Sequence, residues 1–585
     1  MNKKKQTLKE TYLQAVESYK KKDFIKAEHI CYKILSIDPH NFESTSLLAT
    51  MAAVKRDFIK AKELILKAVK IQPENKSALN NLGSAYKELG NLSEAVDIYK
   101  KILKIDSNYT NANYNLGLVY YSLKEFDNAK KYLKKTIEVQ QNYALAFFVL
   151  GNVHVDLREY NNAVSCFQKA IEINPRLVGA HNNLGLVFRI LNDFENAIDC
   201  YKKAIEIEAN HAGAHHNLAQ LYKELGEFEK SIKFHELTIK HEPKNLMNYH
   251  FLSELKKDIL DEKLKKKIKD ILANNESNKS NLAYGNFLLA KYERKSKNYE
   301  KELEHLKIGH KSFFETRKYK FNLGVKYCFE DVMQITEGVS LDKKENNQYD
   351  EIKPIFIIGV PRCGSTLVEK IIASGSKVIP MGEETAVLEN FINQKILEKK
   401  SLNLGSVDII RKELNEIYKH KGLISKKSSN IFTDKSLNNF FYFNFIKDVY
   451  PNAKIINCNR DILSSIVSIF QNNLTELAWA HDLENIFKYF DNYFKIINES
   501  NSKMIYQLNF EKLISNPKEE SKKMMQFCEL PWDIKCLEFY KRKDLISKTA
   551  SNIQVREAIY KHSSKKYLPY KNLLSSYIKK YSWFN

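Results

Sequence analysis

Through the first 245 residues the apolar positions recur at helical spacing and are interrupted at a fixed interval of 34 residues. Ala27, Ala61, Ala95, Ala129, Ala163, Ala197 and Ser231 mark one register. Pro39, Pro73, Ser107, Gln141, Pro175, Ala209 and Pro243 mark a second. The third holds a small residue at Ala49, Gly83, Gly117, Gly151, Gly185 and Ala219, and from Gly83 on an aromatic ring follows three residues later at Tyr86, Tyr120, His154, Phe188 and Tyr222. Each unit predicts two amphipathic helices, with small residues where the helices approach closely and aromatic rings between them. The proline ends the second helix because it cannot continue the hydrogen-bond ladder. Ser107, Gln141 and Ala209 are expected to loosen individual helix stops without breaking the period.

Beyond residue 245 the registers stop. KKDILDEKLKKKIKDIL and the stretch from Leu282 to Thr316 still predict helices, and TEGVSLDKKENNQYDE predicts a polar linker. The pattern changes again at Pro354. PIFIIG is a short continuous apolar strand, VPRCGST a tight loop and LVEKIIAS a helix, and NAKIINCN followed by DILSSIVSIFQNN repeats the strand and helix. The chain is thus multidomain: an all-α solenoid over 1–245, a helical connector and linker over 246–345, and an α/β domain with a mainly parallel sheet over 346–585.

The repeats, about seven of them over residues 8–245, resemble the tetratricopeptide repeat. Such an array serves either as a spacer or dimerisation surface, or as a groove that binds a polypeptide partner.

At 585 residues the chain is too long for one hydrophobic core, and 43% hydrophobic with 28% charged residues excludes disorder throughout. Lys and Arg exceed Asp and Glu by 93 to 71, a net +22. The lysines are scattered and form no block, which points to solvated faces and not to a nucleic-acid partner. Eight cysteines without a C-x-x-C pair fit reduced thiols. The amphipathic start lacks the apolar run of a signal peptide, and no apolar run reaches membrane-spanning length. A cytoplasmic protein is therefore expected. His211, His215 and His216 suggest a metal site only weakly, since no cysteine or carboxylate is fixed beside them; no metal is expected.

The strand, loop and helix around Gly359 present backbone N–H groups to an anion. Gly359-x4-Gly364-Ser365-Thr366 approaches a Walker A loop, but Ser365 stands where the lysine must be, which disfavours a nucleotide kinase. Arg362 supplies the cation instead, and its planar fork suits a tetrahedral oxyanion.

PRCGSTL resembles the 5′-phosphosulfate loop of the sulfotransferases. The resemblance implies a P-loop-like sulfotransferase domain of the tyrosylprotein type, using 3′-phosphoadenosine 5′-phosphosulfate (PAPS) as co-substrate and no metal. Cofactor contacts would come from Arg362, Cys363, Gly364, Ser365 and Thr366, from Arg460 and Ser468 for the 3′-phosphate, and from Lys566 for the nucleotide. MGEET and TDKSLNN imply Glu384 as general base and Lys435 as the cation on the bridging oxygen. TASNIQVREAIYKHSSKKYLPY implies Ser551 near the transferring group. Arg362 and Ser551 would join Glu384 and Lys435 as catalytic residues. Glu383 shares the first-turn position that would explain Glu384 without chemistry, so which of the two is the base stays open. Phe510 replaces a usual tyrosine. A non-catalytic nucleotide-binding scaffold is the alternative. The acceptor, whether a protein tyrosine, a glycan or a small hydroxyl compound, is not fixed by these motifs. Since all donor motifs lie after Pro354, a chain beginning near Asn346 is expected to bind the donor nucleotide unaided.

Overall fold

The computed structural model describes residues 2–274, 278–342, 352–377, 379–424, 430–500, 502–542, 544–545, 549, 551–559 and 567–584. The chain divides into two compact units, Met1–Leu218 and Ala219–Asn585, so the division falls inside the seventh repeat.

The first unit is built from helix pairs. Asn2–Lys20 precedes Phe24–Ile37, Phe42–Val54 precedes Phe58–Ile71, and the pattern continues through Val178–Ile190 and Phe194–Ile207. Local chemistry sets the starts: Asp23, Asn41, Asp57 and Asn75 each accept the backbone N–H of the residue three further on. Close approach sets the pairing. A Cβ at Gly151 would lie 2.6 Å from the Phe167 ring of the next helix.

The helix stops differ from expectation. The second helices end at Ile105, Val139 and Ile207, the same place in the unit as Ile37, Ile71 and Ile173, although Ser107, Gln141 and Ala209 replace the proline. There the residue after the helix donates its N–H back to the last turn, as Asp106 does to Ile102 at 2.8 Å and Gln140 to Thr136 at 2.9 Å. The turn between paired helices carries a further register at positive φ: Lys22, Arg56, Gly90, Lys124, Arg158, Asn192 and Gly226.

In the second unit, Phe228–His241 completes the last repeat and the helices Leu246–Leu255, Glu262–Ala273, Lys279–Lys295 and Tyr299–Thr316 follow. They share one core with the sheet that comes after them. Glu302 is buried and its carboxylate accepts from Arg294 Nε at 2.6 Å, Gln471 Nε2 at 3.0 Å and Tyr570 Oη at 2.6 Å. A buried charge this well satisfied fixes the connector against the domain. His310 donates from Nε2 to Phe470 O at 2.7 Å, so its bare Nδ1 accepts from His481 Nδ1 at 2.9 Å. Burial pushes His310 down to about 4, and burial with His310 beside it pushes His481 down to about 2.

Among the described residues six strands follow: β1 (Ser340–Asp342), β2 (Lys353–Gly359), β3 (Asn403–Ser406), β4 (Ile431–Asp434), β5 (Lys454–Asn459) and β6 (Ile505–Asn509). β1 and β3 pair in parallel apart from the main sheet, whose order β4-β2-β5-β6 is parallel throughout. β2 is continuously buried from Pro354 on, as the apolar run predicts for a strand covered on both faces. The chain leaves β2 for β4 on one side while β5 lies on the other, which opens a crevice at the carboxyl ends of β2 and β5.

Candidate active site

Two loops meet in that crevice. After β2 the chain turns through Arg362 at φ 70° and Gly364 at φ 98°, then enters the helix Ser365–Ala373. Gly364 is required twice over, because its backbone is left-handed and a Cβ there would sit 2.3 Å from the Phe510 ring. After β5, Arg460 donates from Nη1 to Arg362 O at 2.8 Å, and its guanidinium lies 5.0 Å from the Phe510 ring centroid.

Arg362 is the hub. Its Nε donates to Ser468 Oγ at 3.2 Å, Nη1 to Ser551 Oγ at 2.8 Å and Nη2 to Gln554 Oε1 at 3.3 Å. Residues 106 to 192 positions away thus converge on one guanidinium. Thr366 Oγ1 lies 3.2 Å from Thr549 Oγ1 on the same segment as Ser551. Cys363 does not join them: its thiol is buried, and its N–H donates to Val360 O at 3.2 Å. Lys566 lies outside the described residues.

The opposite wall comes from β4 and the segment beside it. Lys435 N donates to Gly382 O at 3.0 Å and Glu384 N to Lys435 O at 3.2 Å, so residues 382–384 run along the end of β4. Asp434 shapes the turn by accepting from Ser436 Oγ at 2.7 Å and Asn439 Nδ2 at 3.1 Å. Glu384 and Ala386 adopt φ of 50° and 47°, unfavourable for residues with a Cβ.

Lys435 is fully buried, with Nζ 2.8 Å from Glu384 Oε1 and 3.5 Å from Glu383 Oε1. Burial works against its charge, but Glu384, Glu383 and Glu369 outweigh that and raise its pKa. Glu369 accepts from Thr433 Oγ1 at 2.7 Å, and burial pushes its carboxyl up to about 8 despite Lys435. The two candidate bases differ in access: the Glu384 side chain is 48% exposed and that of Glu383 is 10%.

Two cavities flank the hub. One is lined by Arg460, Ser468, Phe510, Phe539, Gln554 and Tyr567 among others, and the other by Glu384, Lys435, Asn438, Leu474 and Trp479 among others. Arg362, Gly364, Thr366 and Ser551 line both. Phe539 and the residues from Leu474 to Trp479 belong to no motif that the sequence singles out; Gln554 lies inside TASNIQVREAIYKHSSKKYLPY and Asn473 ends DILSSIVSIFQNN, but neither is assigned a role there.

A sulfotransferase family model matches residues 354–534, and tetratricopeptide repeat models match within 64–247. The chain joins tetratricopeptide repeats to a sulfotransferase domain. An uncharacterized protein of Aquifex aeolicus is 28% identical over 316 residues, 51% of this chain and 41% of the relative. Protein-tyrosine sulfotransferase A of Caenorhabditis elegans is 26% identical over 248 residues, 38% of this chain and 62% of the relative. The chain therefore spans less than two thirds of either relative. Among solved structures, MamA is 27% identical with a TM-score of 0.27, covering 28% of this chain and 95% of its own.

Within the sulfotransferase domain, Arg362, Arg460 and the start of the helix Ser365–Ala373 offer a cationic, hydrogen-bonding cradle to an anion. Among the described residues no three His, Cys, Asp or Glu side chains gather as a metal site. In the repeats, His211 Nδ1 accepts the Ala214 N–H at 3.0 Å and His215 Nε2 donates to Ala209 O at 2.9 Å, which gives both rings structural work at a helix start. None of the eight cysteines is in a disulfide. Among the described residues no helix is long and apolar enough to cross a membrane.

Proposed function

We propose that the sulfotransferase domain moves the sulfuryl group of PAPS to an acceptor hydroxyl. The observation that carries this reading is the shared wall: Arg362, Gly364, Thr366 and Ser551 border both cavities, so a group held there faces a donor on one side and an acceptor on the other. The donor cavity has the chemistry for a nucleotide with phosphates at two positions. The loop around Arg362 would take the 5′-phosphosulfate, and Arg460 with Ser468 the 3′-phosphate.

Sulfuryl transfer, like phosphoryl transfer, proceeds in line through a loose transition state, and the protein mainly positions reactants and neutralises charge. Glu384 would accept the acceptor's proton, a task typically contributing about 10²–10⁴-fold. Its access to the acceptor cavity supports choosing it over Glu383. Lys435, held protonated by its carboxylate neighbours, would neutralise the bridging oxygen of the departing phosphate. Arg362 and Ser551 would hold the sulfuryl oxygens. Phe510 fills the space under Gly364 and carries Arg460, so this departure from the family pattern leaves the cradle intact and favours catalysis over a non-catalytic scaffold. The repeats would bind the acceptor or a protein partner. Eight unpaired cysteines support a cytoplasmic location.

Calorimetry with 3′,5′-adenosine bisphosphate and AMP tests the donor assignment. The bisphosphate should bind at least about tenfold more tightly, and Arg460→Ala should erase that preference. Equal affinities in the unaltered protein would reject the reading.

A further inference from the structure

The turn edge of the repeats changes character along the chain. KKDFIKA and KRDFIKA run from turn into second helix in the first two repeats, which places Ile25 and Ile59 in one register 34 residues apart. In the later repeats that register reads Ser93, Asp127, Asn161, Glu195 and Glu229. Ile25 is 82% exposed and Ile59 62%, and Val54, which ends the helix before Ile59, is 53% exposed. A β-branched apolar residue left in water at a helix start gains neither from burial nor from helix propensity, so the core does not account for it.

The charges beside these side chains are unbalanced. Four acids stand nearby and each is engaged. Asp23 and Asp57 turn back to cap their helices, accepting from Lys26 N at 3.1 Å and Lys60 N at 3.0 Å. Glu17 pairs with Lys21 at 2.7 Å and Glu28 with Lys55 at 2.8 Å. Lys22, Lys26, Arg56 and Lys60 are exposed, and among the described residues none of them makes an ion pair. Further along, Glu94, Asn128, Asn162 and Asn196 stand where Lys26 and Lys60 do, so the surplus of cations is confined to the repeats that carry the isoleucines.

Apolar side chains that protrude without a wall around them, flanked by cations, suit a soft anionic phase. A protein partner would have to supply a whole pocket for each, whereas the boundary between lipid headgroups and acyl chains yields to them. Lysine and arginine stems lie along the apolar layer while their charges reach lipid phosphates and carboxylates. We propose that the turn edge of the first two repeats is a peripheral membrane-contact surface: Ile25 and Ile59 enter the interfacial layer of an anionic leaflet, and Lys22, Lys26, Arg56 and Lys60 hold its headgroups. Shallow insertion with four cations makes the attachment reversible and salt-sensitive. No residue of the candidate active site takes part, so the surface stands apart from the sulfotransferase reading.

Sedimentation of the full chain with lipid vesicles tests the surface. Phosphatidylcholine with about 30% phosphatidylserine should bind it at least about tenfold more tightly than phosphatidylcholine alone at about 0.1 M salt. Ile25→Ser with Ile59→Ser keeps every charge and should weaken that binding about tenfold or more. Lys26→Gln with Lys60→Gln should weaken it about 25-fold, at roughly fivefold for each cation. Lys101→Gln with Lys104→Gln removes the same charge from exposed positions in the third repeat and should cost less than about threefold. All these side chains are exposed, so thermal melts of the variants should superimpose on that of the unaltered protein. If the two lysine pairs cost the same, the net charge of +22 draws the chain to lipid without a dedicated surface, and the assignment falls. Binding by the serine variant as tight as that of the unaltered protein refutes the insertion. Failure to bind the anionic vesicles overturns the lipid assignment, and capture of polyglutamate through the same residues would give the edge to an acidic polypeptide instead.

Discussion

Arg556→Ala should weaken donor binding although Arg556 lies outside both the loop and the base. The segment that presents Ser551 and Gln554 to Arg362 is held from behind by the last repeat. Asn552 is buried, and its Nδ2 donates to Lys223 O at 2.9 Å and Glu224 O at 3.2 Å. Arg556 donates from Nε to Asn552 Oδ1 at 3.0 Å and from Nη2 to Glu224 O at 2.9 Å. These carbonyls end the helix Ala212–Leu225, where the last turn lacks partners of its own and the helix dipole favours a cation. Gly226 lets the guanidinium approach: a Cβ there would lie 2.3 Å from Arg556 Cζ. Removing Arg556 deletes two hydrogen bonds, each with a net value of about 0.5–1.5 kcal/mol. The sum, about 1–3 kcal/mol, bounds the loss of bisphosphate affinity at roughly 5- to 150-fold. Calorimetry on Arg556→Ala, on Gly226→Ala and on the double variant reads it. Because both changes break one contact, the double variant should bind no worse than the weaker single. Affinity within twofold of the unaltered protein, or losses that add, would refute the reasoning. By the same geometry a chain beginning near Asn346 lacks the anchor at residues 223–226 and should bind the bisphosphate more weakly than the full protein, against the expectation from motif order.

Glu384→Gln should leave bisphosphate affinity intact while turnover of PAPS with acceptor falls about 10²–10⁴-fold, and Glu383→Gln should cost far less; the reverse order in a steady-state assay would exchange their roles. Gly151→Ala should destabilise the repeats by about 1–3 kcal/mol, because the added methyl meets the Phe167 ring, and a thermal melt that fails to shift downward would deny that contact. His310 and His481 are both depressed below their unfolded value near 6.5, so they bind fewer protons folded than unfolded. Their contribution is whole above about 6.5 and is lost as pH falls, through about 4 for His310 and about 2 for His481, so denaturant midpoints should drop below about 6.5, and the drop should flatten in His310→Gln.

The fold was legible where one physical constraint repeats. Ala27 and its successors keep the period because a larger side chain would part the helices, and Pro354 to Gly359 read as a strand because a parallel strand is apolar on both faces. The helix stops were misread because proline is sufficient to end a helix but not necessary: at Asp106 and Gln140 backbone bonds close the turn without it. The left-handed turn register was invisible for a related reason, since Lys22, Arg56, Lys124 and Arg158 accept a conformation that glycine would have advertised.

The site divides along the same line. Arg362, Glu384, Lys435, Arg460, Ser468 and Ser551 sit in motifs because each proposed role demands a particular charge or hydroxyl at a fixed place on a strand end or helix start. Cys363 was included by adjacency alone, and its side chain turns into the core. Trp479 and Glu389, which line the second cavity, escaped notice because that lining comes from chain segments roughly ninety residues apart, with no local spacing rule linking them. On the proposed reading the donor side is set by groups that must match one fixed anion, whereas the second cavity has no single charged group to fix a motif. Sequence motifs therefore point to the proposed reaction, whereas the lining of the second cavity becomes legible only in the fold.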